Sequence, residues 1–412
     1  MVFREINREE ASALRAHLDG RIDEMLGLTR ALVETESPSG DLEGSRAVVD
    51  LLARAAQGLE VVRAVERIES PGYGEHLRVR AFGEEKRSDG TVLIVGHTDT
   101  VHPRGSLAER PWRVDGGRIY APGIFDTKAN CALALEVFRA CSALKLAPPC
   151  EVVLLLTCDE ETGSETGRAL VEEESGRACC ALVLEPPASG GRVKTGRKGT
   201  GNFTVEARGR AAHAGLEPEK GASAILEVAR QIERLHAMNA AERGTTINVG
   251  VVRGGTRSNV VPAEAFAEID VRFNTMAEAR RIETEILALQ PVDERVKLLV
   301  RGGINRPPLE RTVGVAAFFE LARRICETLD FELGETSVGG ASDGNFVGAM
   351  GVPVLDGLGI DGDGAHADHE HIIFDDIARR GALLAGLIVS SCGFRVEAAE
   401  PAIRNSKPET CL

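Results

Sequence analysis

Three short apolar runs, each leading into acids or a histidine, set the tightest limit on what this chain can fold into. TVLIVGHTDT (91–100), EVVLLLTC (151–158) and CCALVLEP (179–186) show no polar alternation, so each reads as a strand buried on both faces. An apolar helix, NCALALEVFRACSAL (130–144), stands between the first two. Strands of this kind alternating with helices build an α/β domain around a mixed, mainly parallel sheet. Ahead of it, Leu14, Leu18, Ile22, Met25, Leu26 and Leu32 recur at helical spacing and predict one amphipathic helix over 11–35, ended by Ser37-Pro38-Ser39-Gly40. A second helix is expected over 43–56.

The middle of the chain follows another pattern. Strands are expected at 201–209, 245–255, 263–273 and 295–300, with helices at 220–238 and 277–290. The order βαββαβ is that of a ferredoxin-like split unit. Gly-rich turns at 190–201 and 302–308 flank it, and helices resume at 314–329 and near 374–391. A chain of 412 residues is too long for one ordinary core. The reading is therefore a discontinuous α/β domain over 1–192 and 309–412, with an inserted α+β domain over 193–308. The terminal EAAEPAIRNSKPETCL reads as a loose tail.

The strand ends carry the chemistry. His97 and Asp99 close the first run, Asp126 follows in APGIFDTK, Asp159, Glu160 and Glu161 follow the second, and Glu185 ends the third. GDGAHADHEH adds His366, His369 and His371. One such group alone is a turn or cap residue in solvent. Together, at the carboxyl ends of α/β strands where ligands bind, ionised acids need cations to offset their repulsion and desolvation. Imidazole nitrogen with carboxylate oxygen suits zinc. The net charge of −14 argues against nucleic acid and anionic membranes as partners. No apolar run approaches the ~20 residues of a membrane span, and the charged N-terminus lacks the apolar stretch of a signal peptide. Nine cysteines without a Cys-x-x-Cys pair predict reduced thiols in a cytoplasmic protein and no cysteine-built zinc site.

GHTDTV, APGIFDTK, CDEETGS, LVLEP, AAHAG and GAHADHE, in that order over about residues 90–372, resemble the successive motifs of the M20 metallopeptidases, and within them the glutamate carboxypeptidases. The resemblance implies two Zn2+ per chain, with Co2+ or Mn2+ as substitutes. One ion would take His97, Asp126 and Glu185; the other would take Asp126, Glu161 and His366. Asp99 would orient His97. Glu160 would act as general base toward the water between the ions, returning the proton to the leaving amine. Asp159 would be a solvated or hydrogen-bonded neighbour.

The insert would serve as a dimerisation or lid domain. His213 would reach a neighbouring active site across a homodimer and stabilise the oxyanion. Asn259, Arg272, Arg306 and Gly340 resemble substrate-binding positions, arginine being suited to a free carboxylate. Asp343 lies in the same loop as Gly340 and could equally cap a helix. His369 and His371 read as loop residues, and His102 as a pocket or surface residue. Lys128-Ala129-Asn130 departs from the family's Lys-Gly-Gly, which puts only fine packing in question, and Cys158 reads as buried and structural. The activity implied is cleavage of an amide beside a free carboxylate in a small molecule or short peptide, with N-acyl amino-acid deacylation as the alternative. A non-catalytic relative would have lost the base or ligands that Glu160, Asp126 and His366 supply. A glycosidase with paired carboxylates would leave the histidines unexplained.

Overall fold

The computed structural model describes residues 4–83, 90–392 and 394; the expected C-terminal tail lies outside them. Its larger sheet has the strand order Val62–Ser70, Gly74–Phe82, Glu151–Thr157, Thr91–His97, Ala178–Val183, Val354–Leu355. The first two strands run antiparallel to their neighbours, and the remaining pairs are parallel. Every residue of Thr91–His97 is buried. Its side chains divide by the two-residue period of a strand. Val92 and Ile94 join the core under the helices Ala129–Ala143 and Ile377–Ser390, while Leu93 and Val95 join a second core with Val171, Phe346 and Val347.

Two expectations about this domain are corrected. The helix read over 11–35 is two, Arg8–Asp19 and Ile22–Glu34. Gly20 closes the first by donating its N–H to the carbonyls of Ala16 and Leu18, and Arg21 pairs with the buried Glu136 of a neighbouring helix. The thiols are also not all reduced, because Cys150 and Cys392 form a disulfide with their Cα atoms 5.8 Å apart. Cys392 follows the helix Ile377–Ser390 and Cys150 precedes Glu151–Thr157, so packing of helix on sheet brings together residues 242 apart in sequence. The strands Val62–Ser70 and Gly74–Phe82 were not anticipated. The outer one, VRAVERIES, is half-exposed and charge-rich, which hides the apolar signal.

The insert has four antiparallel strands in the order Thr246–Gly254, Glu264–Phe273, Gly199–Arg208, Lys297–Arg306. The helices Ala224–Ala237 and Met276–Leu287 close a separate core of Phe203, Val205, Val228, Ile269, Phe273 and Ile282. Val193–Arg197, assigned to the insert by the boundary at 193, pairs in parallel with Glu335–Val338, so the chain enters the insert at Gly199. The last strand extends through GGINR, read as turn in the sequence, to Arg306. Gly302 (φ 128°) permits this, since a Cβ there would lie 2.1 Å from the Asn202 carbonyl oxygen. Among the described residues no helix is long and apolar enough to cross a membrane.

Candidate metal centre

The carboxyl ends of the central strands converge. His97 ends one strand, Glu160 and Glu161 sit in the 3-10 turn after the next, and Glu185 lies just beyond Ala178–Val183. Asp126 comes from the turn leading into Ala129–Ala143. His366 takes a left-handed backbone (φ 64°) in a loop held by the Ala367 N–H donating to the Gly364 carbonyl at 2.8 Å.

Two triangles share one carboxylate. His97 Nε2 lies 3.0 Å from Asp126 Oδ1 and 3.4 Å from Glu185 Oε1. His366 Nε2 lies 3.4 Å from Asp126 Oδ2 and 3.1 Å from Glu161 Oε2. His97 Nδ1 donates to the Asp99 backbone carbonyl at 2.9 Å, with the Asp99 carboxylate farther off at 3.5 Å. That leaves Nε2 turned to the cluster. The Asp99 carboxylate accepts instead from the Ser39 hydroxyl (2.6 Å) and from the backbone N–H groups of Glu160 and Glu161 (both 3.2 Å). One aspartate thus anchors the histidine and the acidic turn together.

The protonation pattern is that of a cation site. Burial pushes Asp126 up, but hydrogen bonds from His366 and His97 outweigh it and hold it far below the usual carboxylate range. Burial opposes charge on His97, yet its contacts with Asp126, Asp99 and Glu185 raise it well above the ordinary value. Contacts with Asp126 and Glu161 push His366 up to about 10. Buried Glu161 Oε1 has no partner among the described residues, an omission that is rare for a buried oxygen. Imidazole nitrogens facing carboxylate oxygens, one of them orphaned, fit divalent cations in place of those protons.

The chain matches the model of peptidase family M20/M25/M40 over residues 93–390. It belongs to that family. Carboxypeptidase G2 of Pseudomonas sp. (strain RS-16) is 30% identical over 373 residues, spanning 87% of this chain and 87% of the relative. Acetylornithine deacetylase of Myxococcus xanthus is 29% identical over 379 residues, spanning 88% and 97%. The crystal structure of aminopeptidase PepT from Bacillus cereus matches with a TM-score of 0.71 at 22% identity, covering 90% of this chain and 98% of that one. As an M20 member the protein is a metal-dependent hydrolase of peptide or amide bonds.

Around the M20 cluster, buried groups hold the acids in place. Arg306 Nη2 donates to Glu160 Oε1 (3.0 Å), the Glu160 carbonyl (2.9 Å), Ser164 Oγ (2.7 Å) and Asp343 Oδ1 (3.2 Å). Burial pushes Glu160 well above the carboxylate range, and the Arg306 charge opposes it. Asp343 stands at the N-cap of the helix Gly344–Ala349, but its carboxylate does not cap it and accepts instead from Thr157, Ser164 and Arg306. Asp159 is buried rather than solvated and accepts from the Thr166 and Gly167 N–H groups at 2.6 and 3.2 Å, fixing the start of the next helix. Cys158 is a buried thiol, pushed by burial up to about 12. Asn130 donates to the Phe125 and Leu184 carbonyls and accepts from Ile360 N–H, so the departure from Lys-Gly-Gly adds a clamp between the Asp126 turn and the Glu185 strand.

Two supporting residues were given no role from the sequence, although the first, Glu370, closes the GAHADHE motif. Glu370 accepts from the N–H groups of Gly123 (2.7 Å), Phe125 (2.9 Å) and Asp126 (3.0 Å), and contacts His102 Nε2 at 2.6 Å. Its only signal was its place four residues after His366. His102 is therefore buried and paired with Glu370 rather than at the surface. Buried Arg197 contacts Glu185, and nothing in TGRKG separates it from a solvated cation.

Arg306 is the insert residue that reaches Glu160, whereas His213, Asn259 and Arg272 hydrogen-bond within the insert. His213 and Asn259 are exposed neighbours, the Ala214 N–H donating to the Asn259 carbonyl at 3.0 Å. Arg272 is held by Asp270 through contacts of 2.8, 3.1 and 2.9 Å. Exposed Gly340 offers its carbonyl to Arg197 at 3.2 Å.

Proposed function

We propose that this chain is a dinuclear zinc exopeptidase of the glutamate-carboxypeptidase type, cleaving an amide beside a free carboxylate. One ion takes His97, Asp126 and Glu185, and the other takes Asp126, Glu161 and His366, with Co2+ or Mn2+ as substitutes. Bound there, such ions would polarise the scissile carbonyl and acidify water. Glu160 takes the proton of the attacking water and delivers it to the leaving nitrogen. The new C–O bond forms as the carbonyl π pair moves onto its oxygen, and the carbonyl then re-forms as the C–N bond breaks and the nitrogen leaves with the proton from Glu160.

Arg306 carries the reading. It lies against Glu160, and its buried Nε–H has no partner among the described residues. A guanidinium edge of this kind suits a carboxylate. Arg272, by contrast, is engaged by Asp270 on both oxygens. The substrate carboxylate is therefore assigned to Arg306, with Gly340 at the rim. His213 and Asn259, exposed on the insert, serve the active site of a second copy. Exposed Leu216, Leu226 and Val252 on the same domain favour a homodimer. The buried thiols Cys131, Cys141, Cys158, Cys180 and Cys326 favour a reducing, cytoplasmic setting, with Cys150–Cys392 as the exception.

The likeness to acetylornithine deacetylase, over 97% of that relative, keeps N-acyl amino-acid deacylation as the second reading. A hydrolysis screen on zinc-loaded protein separates them. The panel holds α- and γ-glutamyl conjugates, N-acyl amino acids and di- and tripeptides, with a chelated control. Chelator-sensitive release of C-terminal glutamate or aspartate is expected. Preference for acetyl or succinyl groups would move the assignment to the deacylases.

A further inference from the structure

We propose that Arg197 is a positioning residue that confines Glu185 to a single ligating oxygen and so makes the two metal positions chemically unequal. The inference rests on the metal placement proposed above. Arg197 lies at the end of Val193–Arg197, just before the insert, and its side chain is 3% exposed. Its five N–H donors meet five acceptors. Nε and one Nη2 hydrogen go to Asp356 at 2.7 and 2.6 Å, Nη1 goes to the Gly340 and Ala341 carbonyls at 3.2 Å each, and the remaining Nη2 hydrogen goes to Glu185 Oε2 at 3.1 Å. A guanidinium satisfied on every hydrogen has no freedom to turn. Glu185 Oε2 is thereby held away from the cluster, and Oε1 alone faces His97 Nε2 at 3.4 Å.

The other position differs. Glu161 Oε2 faces His366 Nε2 at 3.1 Å, and Glu161 Oε1 is buried without a partner. No cation anchors that carboxylate from behind among the described residues, so both its oxygens are available. The geometry gives a one-oxygen glutamate with His97 and a two-oxygen glutamate with His366.

Co2+ titration of the metal-free protein, followed by visible absorption and by chelator competition, tests this without any substrate. Wild type is expected to load two ions in distinguishable steps. Lysine carries three donors from a single point and cannot span both Asp356 and Glu185. Arg197→Lys should therefore weaken one step by about 10- to 100-fold, the range for lost partners of metal ligands. It should also change that step's absorption band and leave the other step alone. If Arg197→Lys does not fold, Arg197→Gln/Asp356→Asn, which removes the buried charges together, should give the same one-sided result. Unchanged steps and spectra, or equal weakening of both, would overturn the role of Arg197. Uptake of a single ion by wild type would overturn the metal placement, and the inference with it.

Discussion

Arg306 and Glu160 form a buried ion pair, Nη2 to Oε1 at 3.0 Å, across 146 residues of chain. Arg306 ends the last strand of the insert, and Glu160 opens the acidic turn of the larger sheet. The insert is thus tied to the α/β domain through the carboxylate assigned as the base.

Glu160→Gln keeps the size of the side chain and an oxygen for Arg306. The variant should retain both ions and the wild-type melting temperature while kcat falls about 10²- to 10⁴-fold, the usual contribution of a general base. Steady-state kinetics with elemental analysis checks it. Near-normal kcat would remove Glu160 from that role.

Arg306→Met leaves Glu160 and Asp343 buried without their shared cation. Breaking a buried pair from one side costs about 3–5 kcal/mol, so a large drop in denaturation midpoint is expected. Arg306→Lys restores the charge but not the fork. It should recover stability ahead of KM for carboxylate-bearing substrates, read by urea melts and kinetics side by side.

His213→Ala removes an exposed ring that lies outside the cluster. Metal content and melting temperature should hold while kcat drops. Mixing it with Glu160→Gln should restore activity that neither variant has alone, because one shared site then keeps both groups. No recovery after subunit exchange would contradict the cross-subunit role.

In the metal-free protein, His366 is raised to about 10 by Asp126 and Glu161. A raised histidine stabilises the fold fully below its ordinary value of about 6.5 and loses that contribution as pH climbs through the folded value. Metal-free melting temperatures should therefore fall between neutrality and pH about 10. The loaded protein, with ions in place of protons, should not share this loss. Loading near neutral pH should release protons, measurable by calorimetry in buffers of different ionisation enthalpy.

Glu370→Gln replaces an acceptor of three backbone N–H groups by an amide that can serve only part of them. About 1–3 kcal/mol of stability should be lost per stranded donor. The Asp126 turn should also loosen, lowering metal affinity in chelator competition.

Most of the architecture was legible because burial on both faces leaves a plain mark. Val92 to Val95 and Val152 to Leu156 are apolar without interruption, and strands of that kind admit few environments. The edge strand Val62–Ser70 went unread because half its residues face water and carry charge. The insert's last strand was cut short in the reading because Gly302-Gly303 resembles a turn, whereas here Gly302 is needed for close approach to Asn202. At the site, residues that touch the cluster announced themselves by motif. Of those that hold them, Arg197 carried no signal, and Arg306 and Glu370 were named without the partners they meet. Arg197, Arg306 and Glu370 act through partners 12, 146 and 244 to 268 positions away, and an isolated cation or acid carries no mark of what it will meet.

The Cys150–Cys392 bridge spans the whole insert. The α/β domain is built from two stretches of chain that the insert separates, and the bridge joins one stretch to the other. A protease cutting any exposed loop of the insert would therefore yield two fragments that still travel as one molecule. They would part on a denaturing gel only when the thiols are reduced.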